Sequence, residues 1–407
     1  MSEITILIGQ SGGPTAVINA TLVGLIMEAK KLAPHATLLG CHHGIDGILH
    51  EDFISLSEVP DTLSHTPGMY LGSVRKKMPR LKEAPEQYEA IVNVFTKHHI
   101  THFFYIGGND SMDTASRLAA YFSLINFPCV VMGLPKTIDN DLVLQDHTPG
   151  YGSSAKYLAT TLQTLAYDTA IYPVGRVTIV EVMGRDTGWL AAATCIPTYY
   201  SMGPDLIYIP EIPFNFDSFT KQVKAIYQKK KRVLVVASEG IKNEQGEYIS
   251  STGALDRFGH PQLGGVAPRL ASYIESTLGI GTRAIEISLS QRGGSHLLSK
   301  RDYREALTIG RHALRFGLSG HHGMMVIIKR KRNSPYKIKY QLISLSKVAN
   351  FIKSFPIEWM NVETMIPTPS FLEYVLPLVE GEVKISYEHG IPKFAPLSTS
   401  MPQKLDD

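Results

Sequence analysis

The sequence is poor in cysteine: three in 407 residues, Cys41, Cys129 and Cys195, far apart and with no CxxC pair. An odd, scattered set argues against a disulfide scaffold and fits a reduced, cytoplasmic compartment. Long apolar runs are missing too. None approaches the ~18 residues of a membrane helix, and no basic segment followed by an apolar one opens the chain. Neither membrane insertion nor secretion is expected. Charge of one sign is also absent, with 40 basic against 37 acidic residues and a formal charge of +3. On balance alone this gives no reason to expect a polyanion partner. Low-complexity tracts, short repeats and linkers are not seen. What remains is an ordinary globular composition, 44% apolar and 19% charged, long enough for about two or three domains.

Short apolar runs alternate with stretches of helical period. Strands are expected at 4–9, 102–108, 129–135, 176–184, 206–212, 232–240, 283–290 and 323–329. Helices are expected at 15–32, 85–99, 111–124, near 153–170, and at 187–195, 216–230, 264–278 and 300–316. This alternation implies an α/β fold with mainly parallel sheets, since parallel neighbours need a crossover. The strands read as continuous apolar runs, as in sheets covered on both faces. About a dozen strands exceed one comfortable open sheet, so two sheets and two domains are expected. The proline- and glycine-rich stretch after about 350 reads as irregular and peripheral.

Ligands of open α/β sheets bind beyond the carboxyl ends of the strands, and polar chemistry collects there. Gln10-Ser11-Gly12-Gly13-Pro14 follows the first strand; it lacks a Walker lysine and is not GxGxxG, and on its own reads as a plain turn before it reads as a phosphate loop. Gly107-Gly108-Asn109-Asp110-Ser111 leads into a helix that its polar residues suit as a cap. Pro135-Lys136-Thr137-Ile138-Asp139-Asn140-Asp141 is the strongest signal. Its two carboxylates suit proton abstraction and Mg²⁺ binding, and its lysine suits phosphate. Met183-Gly184-Arg185, Ser238-Glu239-Gly240 and Gln291-Arg292-Gly293-Gly294 end further strands. Arg75 with Lys76-Lys77 follows a Leu71-Gly72-Ser73 turn. Arg176 and Arg283 open their strands, opposite Arg185 and Arg292, so a symmetric dimer would serve them better than one subunit. Arginine forks, glycine turns and carboxylates suggest a multiply phosphorylated ligand system.

In order and spacing, SGG, LGSVR, GGNDS, PKTIDND, GYGSSA, VEVMGR, SEG and QRGGS resemble the phosphofructokinase family from about residue 4 to about 330. The resemblance implies two Rossmann-like, three-layer α/β domains with the active site in the cleft between them. Residues 1–140 plus about 255–305 would hold the phosphoryl donor. About 141–254 plus 306–350 would hold the sugar phosphate, with 351–407 a peripheral extension. Asp110 and Lys136 stand where ATP-using members have glycine, so the chain resembles the pyrophosphate-dependent branch. The aspartate fills and repels the nucleotide's α-phosphate region, and the lysine stabilises the transferring group.

The resemblance further implies that pyrophosphate contacts Gly13, Arg75, Lys136 and Asp110. Asp139 would be the base for the fructose 6-phosphate 1-hydroxyl, beside Thr137 and Ile138. Met183, Gly184, Arg185 and Glu239 would hold the sugar and Arg292 its 6-phosphate. Arg176 and Arg283 would reach that phosphate from a neighbouring subunit of a homodimer or homotetramer. Catalysis would rest on Asp139, Lys136, Asp110 and Arg185. Mg²⁺ is the implied cofactor, with Asp110 and Asp141 as ligands, and with Asn109 standing where the family usually has a metal-binding aspartate. Leu289 replaces the usual histidine or tyrosine three residues before the arginine. The expected reaction is reversible, in-line phosphoryl transfer from pyrophosphate to fructose 6-phosphate. Its alternatives are an ATP-dependent 6-phosphofructokinase and a non-catalytic, sugar-phosphate-binding regulatory subunit.

Other features read as bland. The basic run Lys229–Arg232 ends an expected helix, and Lys329–Arg332 would fill a hairpin turn. Neither is interleaved with aromatics, so nucleic-acid binding is not expected. The adjacent histidine pairs at 42–43, 98–99 and 321–322 lack metal-site spacing. Trp189 and Trp359 read as core.

Overall fold

Each buried apolar run becomes a strand in the computed structural model, which describes residues 4–74, 76–250 and 265–398. The chain opens with β1 (Thr5–Gln10), α1 (Ile18–Leu32), β2 (Thr37–Cys41), α2 (Ile45–Leu49) and β3 (Phe53–Ser55). Next come α3 (Pro85–Lys97), β4 (His102–Gly107), α4 (Asn109–Leu124), β5 (Val130–Pro135) and α5 (Tyr151–Ala170). A second series follows: β6 (Val177–Val182), α6 (Trp189–Ala193), β7 (Leu206–Tyr208), α7 (Phe216–Lys230), β8 (Val233–Ser238), α8 (Val266–Leu278) and β9 (Thr282–Glu286). The chain then runs through α9 (Ser290–Gly293), α10 (Lys300–Leu318), β10 (Met324–Arg332) and β11 (Lys337–Ser344). It forms two compact units: Met1–Ser153, Arg292–Ile352 and Glu380–Asp407 in one, Ser154–Gln291 and Lys353–Val379 in the other.

The first unit is built on a seven-stranded sheet in the order β11-β10-β5-β4-β1-β2-β3. Its five inner strands are parallel, with β3 and β11 antiparallel at the edges. Leu7, Phe103, Tyr105 and Val131 bury one face, and Ile6, Ile8, Phe104, Ile106 and Met132 the other. That two-sided burial is why the strands read as unbroken apolar runs. On the second of these faces α1 meets α10 at glycines. A methyl on Gly24 would lie 2.1 Å from the Leu307 carbonyl oxygen, so only glycine lets the helices approach this closely. From β1 the chain leaves to β2 on one side and later returns to β4 on the other, so the crevice between β1 and β4 is the switch point where such sheets bind ligands.

The second unit holds a wholly parallel sheet, β7-β8-β6-β9. Val177, Ile179 and Val235 pack with Phe219 and Val223 of α7 and Leu270 and Ile274 of α8. Strand β9 is an edge, with Arg283, Ala284 and Glu286 exposed. Trp189 is buried among Phe355, Trp359, Phe371 and Tyr374.

The division of the chain differs from the one expected. Residues 306–350 join the first unit, because Met324 and Met325 of β10 pair with Met132 and Gly133 of β5. Strand β9 and the described part of 255–291 belong to the second unit, because β9 pairs with β6. The stretch after 350 is not peripheral throughout, since it supplies buried Phe355, Phe371 and Val375 to the second unit. Nor is Lys329–Arg332 a turn. These residues finish β10, where Lys329 lies directly opposite Lys339 of β11 with Lys331 and Lys337 exposed nearby. Among the described residues all three cysteines are free and buried, and no helix is long and apolar enough to cross a membrane.

Candidate active site

The turn after β1 is shaped by its neighbours. Gln10 is fully buried; its Nε2 donates to Asn19 Oδ1 at 3.1 Å and its Oε1 accepts from Leu71 N at 3.0 Å. Ser73 Oγ donates to Gly12 O at 2.6 Å, so the LGS turn closes over the SGG turn. Gly12 has a φ of 84°, a left-handed conformation that favours glycine. A methyl there would also sit 3.2 Å from Lys136 Nζ, and one on Gly13 would sit 3.2 Å from Arg292 Nη1. The two glycines thus leave room for an ammonium and a guanidinium that converge on one turn.

Lys136 is held at both ends. Its backbone N donates to Gly107 O at 2.9 Å, continuing the β4–β5 register, and its Nζ donates to Gly13 O at 2.6 Å. Only 3% of the residue is exposed. A buried ammonium aimed at a backbone turn suits an incoming phosphate, because a low-dielectric setting strengthens its field. Beyond it Thr137 Oγ1 accepts from Asp139 N at 3.1 Å, and Asn140 Oδ1 accepts from Thr148 N at 3.0 Å. Those two bonds bracket Asp139, which is partly exposed.

Asn109 and Asp110 begin α4 at the carboxyl end of β4. Asp110 is exposed in the first helical turn, where a negative charge suits the helix dipole, and lies 3.6 Å from Lys77 Nζ. Asn109 is engaged elsewhere: its Oδ1 accepts from Asn350 N at 2.7 Å and its Nδ2 donates to Phe351 O at 2.6 Å. A carboxylate could not make the second bond, so this asparagine works as a clamp on the 350–351 backbone and does not fit a metal ligand. Among the described residues no three His, Cys, Asp or Glu side chains converge on a metal position. Mg²⁺ usually takes one or two carboxylates and completes its shell with water and substrate phosphate, so Asp110 fits that mode.

In the second unit, the strand ends of β6 and β8 lock together. Gly184 (φ of 136°) donates its N–H to Glu239 Oε1 at 3.3 Å, and Ser238 Oγ donates to Gly184 O at 2.5 Å. A methyl on Gly240 would lie 1.8 Å from the Arg185 carbonyl oxygen. Met183 N donates to Gln291 Oε1 at 3.1 Å. Sequence reasoning grouped Met183, Gly184, Arg185 and Glu239 through the resemblance, and the ends of β6 and β8 bring Gly184 and Glu239 into hydrogen-bond contact and Arg185 close to Gly240. It missed Glu181, whose burial pushes its carboxyl up to about 7 although Ala267 N donates to it. Arg176 and Arg283 are both exposed near the amino ends of β6 and β9, with Arg283 3.6 Å from Asp168.

Arg292, expected at the sugar 6-phosphate, has its guanidinium close to Gly13 of the turn after β1. Arg75 lies outside the described residues. Leu289 is 59% exposed and contributes nothing to the core.

Comparison with known proteins identifies the family. Residues 5–316 match the family model described as Phosphofructokinase. A protein of Xanthomonas campestris pv. campestris, pyrophosphate–fructose 6-phosphate 1-phosphotransferase, is 37% identical, covering 98% of this chain and 97% of its own. One of the same name from Halomonas elongata is 36% identical over the same shares. A crystal structure of pyrophosphate-dependent phosphofructokinase from Marinobacter aquaeolei matches with a TM-score of 0.87 at 33% identity, covering 99% of this chain and 98% of that one. With a family model matching residues 5–316 and relatives of this identity over nearly the whole chain, the chain belongs to the phosphofructokinase family.

Proposed function

We propose that the protein transfers a phosphoryl group from pyrophosphate to the 1-hydroxyl of fructose 6-phosphate, giving fructose 1,6-bisphosphate and phosphate, reversibly. The observation that supports this reading best is the pair flanking the donor turn: a buried Lys136 ammonium on Gly13 O and the exposed Asp110 carboxylate at the start of α4. The ammonium matches a small, dense anion, and the carboxylate disfavours a bulkier polyphosphate chain. The near-full-length relatives named for this reaction support it too.

In this reading Asp139 takes the proton of the acceptor hydroxyl, with Thr137 and Ile138 lining its approach. Lys136, with Gly13 and Arg75, receives the phosphates of the donor. Arg292, whose guanidinium lies near Gly13, binds the 6-phosphate of the sugar. Met183, Gly184, Arg185 and Glu239 hold the sugar. Asp110, with Asp141, would hold Mg²⁺, which when bound neutralises phosphate charge; Asn109 takes no part. Arg176 and Arg283 reach the sugar phosphate of a second subunit in a homodimer or homotetramer, a role that suits their exposure near the ends of β6 and the unpaired β9 edge. Three unpaired buried thiols fit a reducing, cytoplasmic setting.

One assay tests the reading: purified protein, fructose 6-phosphate and Mg²⁺, with pyrophosphate and ATP side by side. Turnover with pyrophosphate and little with ATP is expected. The reverse result would establish an ATP-dependent kinase, and no turnover with either would favour a regulatory subunit.

A further inference from the structure

Behind the 137–141 turn, within the first unit, lies a buried charge cluster that the reaction leaves unused. His147 is 1% exposed. Its Nδ1 lies 2.7 Å from Asp146 Oδ2, and its Nε2 lies 2.5 Å from Glu305 Oε2 on α10. A carboxylate only accepts, so both ring nitrogens donate and the ring is an imidazolium. Asp146 Oδ2 also accepts from Arg330 Nε at 3.1 Å and Nη2 at 2.9 Å, and Glu305 Oε1 accepts from the Tyr336 hydroxyl at 2.8 Å. The guanidinium carbons of Arg301 and Arg330 lie over the Tyr336 ring. Near the start of α10, Asp302 accepts from Gly150 N, Ser153 N and Ser153 Oγ. The two carboxylates that touch His147 are thus balanced by its own charge and by Arg330, and removal of any one charge strands another in the interior.

The cluster bears on the reaction through its backbone. Asp146 N donates to Ile328 O at 2.9 Å, Thr148 N to Asn140 Oδ1 at 3.0 Å and Thr137 N to Pro149 O at 3.3 Å. Residues 146–149 are therefore the floor on which the Asp139 turn rests. Asn140 is held at a φ of 55°, a left-handed conformation that asparagine adopts more readily than most residues, and its side chain ties the turn to Thr148. We infer that His147 is a positioning residue for phosphoryl transfer, a charged link between Asp146 in the loop and Glu305 in α10 that sets the Asp139 turn. This rests on the reading of Asp139 as the base.

The link depends on charge, because losing either ring proton turns a lone pair toward a carboxylate. Burial acts to lower the pKa of this imidazole, but the Glu305 charge and the bonds to Asp146 and Glu305 outweigh it and hold it up at about 9. The groups facing the ring are Asp146 and Glu305, with Arg330, Tyr336 and Asp302 behind them.

The test measures kcat and KM from about pH 6 to pH 10, with melting temperature in parallel, for the intact enzyme, Glu305→Gln and His147→Gln. In the parent, kcat should fall along an alkaline limb near the imidazole's pKa. Glu305→Gln should move that limb down by at least about one pH unit, with KM changed less than about threefold. His147→Gln should lower kcat about 10- to 100-fold and lose the limb, as expected for a misplaced catalytic group. A Glu305→Gln profile superimposed on the parent's, or a limb retained in His147→Gln, would overturn the inference. If the variants do not fold, NMR titration of the parent's His147 ring decides: a midpoint matching the kcat limb supports the link, and a neutral ring at pH 7 refutes it. Failure of the Asp139 reading is distinct, since Asp139→Asn would then keep its turnover while the Glu305→Gln shift persists.

Discussion

Replacing Lys136 by methionine keeps the length of the side chain and removes its ammonium. Two effects follow from the 2.6 Å bond to Gly13 O and the 3% exposure. The Gly13 carbonyl loses a charge-assisted partner, a loss of about 1.5–3 kcal/mol that relief from burying an ammonium partly offsets, so net destabilisation should stay near 1 kcal/mol. The effect on the reaction is larger. An ammonium about 4 Å from a phosphoryl oxygen contributes about 4 kcal/mol at an effective dielectric constant near 20. Removing one preorganised donor from a transition state typically costs about 10²–10³ in kcat, or about 2.7–4 kcal/mol. Both routes give the same expectation: kcat with pyrophosphate falls about 10²–10³-fold, with the KM for fructose 6-phosphate nearly unchanged. A coupled assay of fructose 1,6-bisphosphate formation at saturating pyrophosphate reads this, with a melting curve to show that the variant is folded. A folded variant that keeps kcat within about threefold, losing only pyrophosphate KM, would refute the transition-state role and leave Lys136 a ground-state anchor.

Other outcomes follow from the same geometry. Asp139→Asn should lower kcat about 10²–10⁴-fold with little change in melting temperature, and near-normal turnover would remove it as the base. Asp110→Gly should raise turnover with ATP relative to pyrophosphate in the paired-donor assay; an unchanged ratio would disprove its role in excluding the nucleotide. Asp302→Ala strands the donors of Gly150 and Ser153 in the interior, and denaturant unfolding should show a loss of about 3–5 kcal/mol. Stability should also fall on the alkaline side. His147 is raised from 6.5 to about 9, so its contribution is full below pH 6.5 and is lost as pH rises to about 9. A melting temperature that holds steady across that interval would contradict it.

The parallel strands were legible because both of their faces are buried, so β1, β4, β5, β6 and β8 are mainly apolar. Strands β2 and β3 were not read. Thr37–Cys41 is short and includes a glycine, and Phe53–Ser55 has three residues, too few for any periodicity to show. The split into units was misread because partners in a sheet are chosen by register across the fold: nothing near Met324 announces that it pairs with Met132. Turn motifs such as PKTIDND were visible because charge clustered directly after an apolar run has few structural uses. The His147 cluster was not. Asp146-His147 looks like any polar loop until Glu305, 158 positions later, supplies the second carboxylate. Asn109 was recognised as unusual, but the backbone it clamps lies 241 residues away.

The paired lysines at the end of β10 and β11 have a consequence for colloidal behaviour. Strand β11 closes one side of the large sheet, and its outer row of peptide groups is a template onto which another extended chain could add. An approaching strand would meet Lys337 and Lys339 on β11, ammonium groups that would have to shed water beside one another. Like charges set face to face, as Lys329 and Lys339 are, weaken the local pairing a little. In return the sheet stops growing at its own boundary, which guards the enzyme against fibre formation.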